Sequence, residues 1–194
     1  MEEEEKMSDI ISDGKSESIK MMRIVCISDT HGKHRSMKIP DGDVLIHAGD
    51  LTPRGHEKDI KDVNEWLGTL PHKHKIMIAG NHDFQFEINP VNARSWITNA
   101  HYLCDESLTL DGVKFYGSPW QPRYFDWAFN KDRGAPLKAI WDKIPLDTDV
   151  LITHGPPHGI LDLTFDKIKA GCEELLLAVQ RIKPKVHVFG HIHE

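Results

Sequence analysis

The chain has 194 residues, with 24 lysines and arginines against 30 aspartates and glutamates, a formal net charge of −6. This length fits one domain with a substantial hydrophobic core. The mildly acidic balance offers no basic surface for duplex nucleic acid or a membrane, so we expect neither as a partner. No apolar stretch reaches the length of a membrane span.

The first 20 residues differ in composition from the rest. Residues 1–20 hold seven acidic and three basic side chains and few large apolar ones. Such a segment cannot bury enough apolar surface to order itself. We therefore predict a disordered acidic tail over 1–20 and one folded domain over 21–194.

The cysteines bear on the compartment. Cys26, Cys104 and Cys172 are far apart and lack paired spacing. Cys26 and Cys172 lie in apolar patterns and are expected in the core. An odd, unpaired set suits a reducing compartment, and the N-terminus lacks the apolar region of a secretion signal, so we expect a cytoplasmic protein.

Strand and helix signals alternate along the body of the chain. Strands are predicted over 23–28, 43–48, 74–79, 101–104, 107–110, 113–117, 149–153 and 186–190, and helices over 57–70, 135–144 and 172–182. Asp111 and Gly112 separate two of the strands, which predicts a β-hairpin. The expected fold class is α/β, with layered, mixed β-sheets flanked by helices.

Five polar blocks each follow a predicted strand near the point where it ends. They are 29–31 (Asp-Thr-His), 49–50 (Gly-Asp), 80–83 (Gly-Asn-His-Asp), 154–155 (His-Gly) and 190–193 (Gly-His-Ile-His). In open α/β sheets, ligands bind beyond the carboxyl ends of the strands. The shared position predicts that the five blocks meet at one site.

The side chains in these blocks are those of metal ligands. The oxygen donors are Asp29, Asp50 and Asn81, and the imidazoles are His31, His154, His191 and His193. This mixture suits Mn²⁺, Fe or Zn²⁺. Seven ligands are too many for one ion that keeps an open position, but they suit two ions that share a carboxylate. The pattern predicts a dinuclear centre for metal-assisted hydrolysis.

The blocks resemble the calcineurin-like metallophosphoesterase family, whose pattern is D-x-H, G-D, G-N-H-[DE], a later histidine before glycine, and G-H-x-H. The resemblance extends from Ile24 to the end of the chain. Segments 116–122 and 189–194 are also similar to the animal metallophosphoesterase-domain-containing proteins, which are in turn similar to class III cyclic-nucleotide phosphodiesterases.

The resemblance implies a role for each block residue. Asp29, His31 and His193 would hold the first metal, Asn81, His154 and His191 the second, and Asp50 would bridge them. His82 would face the phosphate as a catalytic group that is not a ligand. Asp83 would orient His82 through a hydrogen bond; the alternative is a turn residue that caps the next segment. The implied reaction is in-line attack of a metal-bound hydroxide on a phosphoester.

Residues beside the metal-ligand blocks indicate which kind of phosphoester the site would bind. Protein phosphatases of this superfamily carry arginines that clamp a dianionic phosphate. Here Ala79 precedes Gly80, and only Arg54 remains as a counterpart. This favours a phosphodiesterase acting on cyclic nucleotides or similar small diesters over a monoesterase. The alternative is a weakly active or inactive metal-binding scaffold that binds nucleotides or protein partners.

Two further features of the sequence each allow two interpretations. The aromatic residues of segment 118–130 either stack on a nucleotide base or plug a sheet edge. His158 either lines the mouth of the pocket or lies in a surface loop.

The sequence ends at Glu194, whereas the resembling proteins continue with further strands. We therefore expect these C-terminal strands to be missing, with a sheet edge left unpaired and His193 weakly held unless metal orders it.

Overall fold

Two four-stranded sheets organise residues 21–193, which are the residues that the computed structural model describes. The predicted tail and Glu194 lie outside them. The strands are β1 (Ile24–Ile27), β2 (Val44–Ala48), β3 (His74–Ile78), β4 (His101–Tyr102), β5 (Glu106–Leu110), β6 (Val113–Ser118), β7 (Gln121–Pro122), β8 (Asn130–Lys131), β9 (Val150–Thr153) and β10 (Val186–Val188).

The two sheets differ in strand direction. The first has the order β1-β2-β3-β4, and its neighbours are all parallel. The second has the order β10-β9-β6-β5, in which only the β5–β6 pair is antiparallel. That pair closes at Asp111 and Gly112, so the predicted hairpin is confirmed. β7 and β8 form a separate two-stranded parallel ribbon.

Helices cover the outer face of each sheet. They are α1 (Glu57–Thr69), α2 (Gln85–Ile88), α3 (Pro90–Ser95), α4 (Ala135–Trp141) and α5 (Glu173–Ile182). The sequence predicts α1, α4 and α5 through their apolar periodicity. It does not predict α2 and α3, because four and six residues are too few to display a helical repeat.

The alternation of side chains along the strands builds the layers. Val44 and Ile46 of β2 pack with Ile152 of β9 between the two sheets. Leu45 of β2 points to the opposite side and packs against α1, while Leu151 of β9 packs against α4 and α5. The result is a helix–sheet–sheet–helix sandwich, which confirms the predicted fold class. Since β2 is covered on both faces, all five of its residues are buried.

Two exposed residues lie on edge strands of the sheets. Cys172 is fully buried as expected, but Cys26 is exposed, because β1 is an edge strand with one open side. Within residues 21–193, β10 forms an edge of the second sheet, and Val186 is 42% exposed there. No helix in this part of the chain is long and apolar enough to cross a membrane.

One buried histidine connects the first sheet to the loops at its rim. His47 of β2 is 1% exposed, and its Nε2 lies 3.0 Å from the hydroxyl of Thr30, which donates to the carbonyl of Leu51. Burial lowers the pKa of His47 to about 3 despite the nearby Asp29 and Asp50. The folded protein therefore holds this imidazole neutral at pH values where the unfolded chain binds a proton.

We predict that His47 makes the fold sensitive to acid. The unfolded state gains a proton as pH falls below about 6.5, so the free energy of unfolding should drop by about 2 kcal/mol between pH 7 and pH 5 from this group. Urea unfolding in chelator at the two pH values measures it. His47→Gln should reduce the change in the free energy of unfolding between the two pH values. His101→Gln, at an exposed histidine, should leave that change as it is in wild type. Equal slopes for wild type and His47→Gln would contradict the assignment.

Candidate metal centre

The five polar blocks meet where the carboxyl ends of the strands face one another. Backbone hydrogen bonds join the loops directly. The amide of Asp29 donates to Gly49 (3.0 Å), that of His31 to Asp50 (3.0 Å) and that of Gly190 to His154 (2.9 Å). The first two bonds join loops of the first sheet and the third joins loops of the second. The amide of His191, which donates to the carboxylate of Asp29 at 3.1 Å, connects the two sheets into one rim.

Several of the candidate ligands adopt a backbone conformation that side chains disfavour. The φ angles are 54° at Asp29, 45° at His31, 55° at Asp50 and 74° at His191. Non-glycine residues in this left-handed region are uncommon and cluster at functional sites. Their concentration in four ligand positions indicates that the loops are shaped for the side chains they present.

Two glycines leave room for the carboxylates. A side chain at Gly80 would overlap Oδ1 of Asp50, and one at Gly190 would overlap the carboxylate of Asp29. The glycines of the G-N-H-D and G-H-I-H blocks are therefore explained by close packing around two acidic side chains.

The first group contains Asp29, His31 and His193, with ligand atoms all within 4.8 Å of one another. Nε2 of His193 lies 3.1 Å from Oδ1 of Asp29. Burial would raise the pKa of Asp29, but the charge of His154 and hydrogen bonds from Ser28 and the His191 amide outweigh it and lower that pKa. The carboxylate is thus held ionised, as a metal ligand must be.

The second group contains Asp50, His154 and His191, again within 4.8 Å. Asn81 joins it, since its Oδ1 lies 2.9 Å from Nε2 of His154. Nδ1 of His154 donates to the carbonyl of Ala48 at 2.9 Å. Burial alone would lower the pKa of His154, yet the charge of Asp50 raises it to about 9. Asp50 therefore favours the protonated, positively charged form of His154. A bound metal ion would take the place of the proton on Nε2.

Asp50 lies between the two groups. Its Oδ2 is 3.4 Å from Nε2 of His154 and 3.8 Å from Nε2 of His31, while Oδ1 accepts a hydrogen bond from the amide of His82 at 2.8 Å. Burial opposes its charge, but His154 and His82 outweigh this and hold the pKa of Asp50 well below its usual range. This is the position that a bridging carboxylate would take.

The donors fit two divalent ions. Nε2 of His31 is buried and has no hydrogen-bond partner among the residues that the structure describes. Burial lowers the pKa of His31 and lowers that of His191 to about 3, so both imidazoles offer lone pairs. Partly buried neutral imidazoles beside ionised carboxylates form a donor set for metals such as Mn²⁺, Fe or Zn²⁺.

His82 is held from one side of its ring. Nδ1 lies 2.9 Å from the carbonyl of Pro53, to which it donates, and Nε2 is 3.8 Å from Oδ2 of Asp50. The indole of Trp127 lies against the imidazole, with ring centroids 4.2 Å apart. His31, Asp50 and His82 also form a third compact group, so a ligand role for His82 is the rival to a catalytic role.

The structure corrects the predicted contact of Asp83. Its carboxylate does not bond to His82, which donates to Pro53 instead. Asp83 is fully buried and accepts hydrogen bonds from the amides of Leu51, Thr52 and Gly80 and from the Thr52 hydroxyl, at 2.8–3.1 Å. Burial raises its pKa to about 7. Asp83 therefore fastens the loop after β2 to the loop after β3, and its side chain does not cap the following helix α2 either.

Some aromatic residues of segment 118–130 pack in the interior, and others lie at the candidate site. Trp120 and Phe129 pack together in the interior. Tyr124 and Trp127 lie at the site instead, with Tyr124 6.1 Å from the ring of His191. Arg54 places its guanidinium 5.1 Å from the Trp127 ring.

His158 falls under the structural alternative. Its Nδ1 lies 3.7 Å from carboxylate oxygens of Asp162 and Glu173, and it does not line the cavity over the centre.

A cavity of about 320 Å³ opens above the centre. Its lining combines two sets of residues: Asp50, Asn81, His82, His191 and His193 from the polar blocks, and Tyr124, Thr164, Phe165, Ala170 and Ile192 from elsewhere or between them. The sequence prediction did not include Thr164, Phe165 or Ile192. Segment 160–165 (Ile-Leu-Asp-Leu-Thr-Phe) is apolar yet belongs to no predicted element, which is the signal that would have drawn attention to it.

Comparisons with known proteins agree with this architecture. The profile of a family described as calcineurin-like phosphoesterase matches residues 22–194. Metallophosphoesterase domain-containing protein 1 of Homo sapiens is 46% identical over 197 residues, covering 89% of this chain and 60% of that protein, and the protein of that name from Mus musculus gives the same figures. The chain thus spans 60% of the length of these relatives.

A solved structure shares the fold at low identity. TT1561 of Thermus thermophilus superposes with a TM-score of 0.58 at 16% identity, covering 90% of this chain and 85% of that one. At this identity the likeness shows the fold alone.

We predict that Asp50→Asn removes the shared ligand and lowers bound Mn²⁺ from two ions per chain to one or fewer, since a neutral amide cannot bridge two cations. Metal analysis by mass spectrometry after desalting measures the ratio. Asp41→Asn, at an exposed aspartate, is the matched control and should keep two ions. Two ions in Asp50→Asn would refute the bridging role.

Proposed function

This chain belongs to the calcineurin-like phosphoesterase family, and we propose that it is a dinuclear metal-dependent phosphohydrolase. We further propose that it is a phosphodiesterase acting on cyclic nucleotides or similar small diesters. The observation that carries the proposal is a set of three compact Asp/His groups beneath an open cavity, two of which contain Asp50.

We propose the ligand roles that the family resemblance implies, and the compact Asp/His groups support them. Asp29, His31 and His193 would hold one ion, Asn81, His154 and His191 the other, and Asp50 both. Two divalent ions bound there would lower the pKa of a water molecule and neutralise charge on the phosphoryl group. Mn²⁺ and Fe, with Zn²⁺ as a further candidate, suit this mixture of oxygen and nitrogen donors.

His82 would assist at the departing oxygen. Because Nδ1 donates to Pro53, the opposite nitrogen is left to face Asp50 and the cavity. Trp127 limits rotation of the ring. A protonated imidazole so placed can hydrogen-bond a phosphoryl oxygen or give its proton to the leaving group. Asp83 would contribute indirectly, by keeping the loops of Asp50 and Asn81 in register.

The charge around the cavity supports a diester substrate. A phosphate monoester carries two negative charges and favours a pair of arginine clamps. Ala79 occupies one of those positions and is fully buried. Arg54 lies against Trp127 at the rim, and one such cation suits a monoanionic diester.

The three cysteines support a reducing location. Cys26, Cys104 and Cys172 are all unpaired in the structure. Free thiols persist where the cell keeps them reduced, so we propose a cytoplasmic site of action.

Hydrolysis of bis(p-nitrophenyl) phosphate and of p-nitrophenyl phosphate, each with Mn²⁺ and with chelator, tests the function. We expect Mn²⁺-dependent turnover of both, with a kcat/KM at least about tenfold higher for the diester. Preference for the monoester would contradict the diesterase assignment. Hydrolysis of neither by folded, metal-loaded protein would favour the binding scaffold instead.

Replacing His82 separates catalysis from metal binding. We predict that His82→Ala lowers kcat by roughly 10²–10⁴-fold, the usual contribution of a positioned acid or base, while two ions per chain remain. His158→Ala, outside the site, is the control and should leave kcat unchanged. Loss of one ion together with activity would mean that His82 is a ligand.

A further inference from the structure

A short hairpin projects beside the cavity. Residues 162–170, here the apolar hairpin, pair through Leu163 and Lys169, and the amide of Thr164 donates to the carbonyl of Ile168 at 2.9 Å. The amide of Ala170 donates to the carbonyl of Asp162 at 2.9 Å. None of these residues belongs to a predicted strand or helix.

The base of the apolar hairpin is fixed. Asp162 is 3% exposed, and its carboxylate accepts hydrogen bonds from the amides of Gly159 (2.8 Å) and Gly171 (3.2 Å). A buried carboxylate that bonds to both ends of the segment holds the hairpin at a set position relative to β9 and α5.

The outer part exposes large apolar side chains to solvent. Leu161, just before the hairpin, and Phe165 at its turn are each 81% exposed, Ile168 is 61% and Leu163 is 48%. Scattered exposed apolar residues need no explanation, but a contiguous apolar patch marks a binding surface.

This patch is continuous with the candidate metal centre. A second cavity, of about 540 Å³, is lined by Leu161, Leu163, Phe165, Phe189 and Ile192. Thr164, Phe165 and Ile192 also line the cavity above the metal ligands. A molecule with its phosphoryl group at the metal centre would therefore reach the apolar cavity directly past Phe165.

The lining defines the chemistry of the occupant. Within residues 21–193, no carboxylate lines the second cavity, and Lys167 is its single cationic side chain. The volume lies in the range of small-molecule pockets. An uncharged aromatic or aliphatic group fits the apolar side chains that make up most of this lining.

We propose that the apolar hairpin forms a subsite that binds an aryl or other apolar ester group of a small phosphodiester. The inference rests on the proposed function, since the phosphoryl group is taken to lie at the metal centre. Phe165 would contact the ester group at the border of the two cavities, and Leu161 would contact its far end.

Two substrates and three variants test the subsite. Bis(p-nitrophenyl) phosphate keeps an aryl group for the subsite while the other aryl group leaves, whereas methyl p-nitrophenyl phosphate offers only a methyl group there. The variants are Phe165→Ser, Leu161→Ser and the matched control Leu146→Ser, at a leucine that is 67% exposed. All three sites are exposed, so far-UV circular dichroism and melting temperature should match wild type.

We expect Phe165→Ser to raise KM for the diaryl ester about 5- to 20-fold and KM for the methyl ester by a clearly smaller factor, because the lost contact is mainly with the apolar ester group. Leu161→Ser should shift KM in the same direction by a smaller factor, and Leu146→Ser not at all. If the ratio of kcat/KM for the diaryl ester to kcat/KM for the methyl ester is the same in Phe165→Ser as in wild type, the proposed subsite is refuted. If wild type hydrolyses neither diester, the proposed function fails and the subsite with it.

A membrane is the rival occupant of the patch. Co-sedimentation of wild type with phosphatidylcholine vesicles, lost in Phe165→Ser while the diaryl preference stays unchanged, would overturn the proposal in favour of a lipid surface. No co-sedimentation together with a lost diaryl preference would support it.

Discussion

One buried carboxylate organises this molecule. Asp50 is 2% exposed, and an ionised group so far from water is stable only if charges and hydrogen bonds compensate it. Those compensations come from far apart in the chain, since His82 and His154 reach it from different strands. The convergence of the loops is thus a condition for keeping this charge buried, and the same convergence places the other candidate ligands around it.

The residues around Asp50 allow its charged carboxylate to stay buried. Glycine at position 80 gives the carboxylate room, and Asp50 itself adopts a left-handed backbone conformation. Asp83, also buried, spans the loops on either side. Strained backbone and buried charge both lower stability by themselves. Their concentration at one place is the pattern of a site whose stability is completed by a bound cation.

The cavity above the centre is lined by two unlike sets of residues. One set consists of polar and ionisable groups from the strand ends, and the other of residues of the apolar hairpin together with Tyr124. A phosphoryl group and an apolar ester group would find separate partners there. The two sets have different origins. The polar residues come from loops constrained by two sheets, whereas the hairpin is anchored by the carboxylate of Asp162 and by Arg133, which donates to the carbonyl of Ala170.

The sequence by itself determined the layered α/β fold, the hairpin at Asp111 and the set of residues that meet at the rim, because buried strands read as apolar runs and parallel strands deliver their following residues to one edge. The metal roles of those residues stay proposals. Only the tertiary structure decided that Asp83 bonds to the loop after β2, that Trp127 lies on His82, and that Phe165 borders the cavity. These contacts join segments with no shared periodicity, so their partners depend on how the loops pack and not on local pattern.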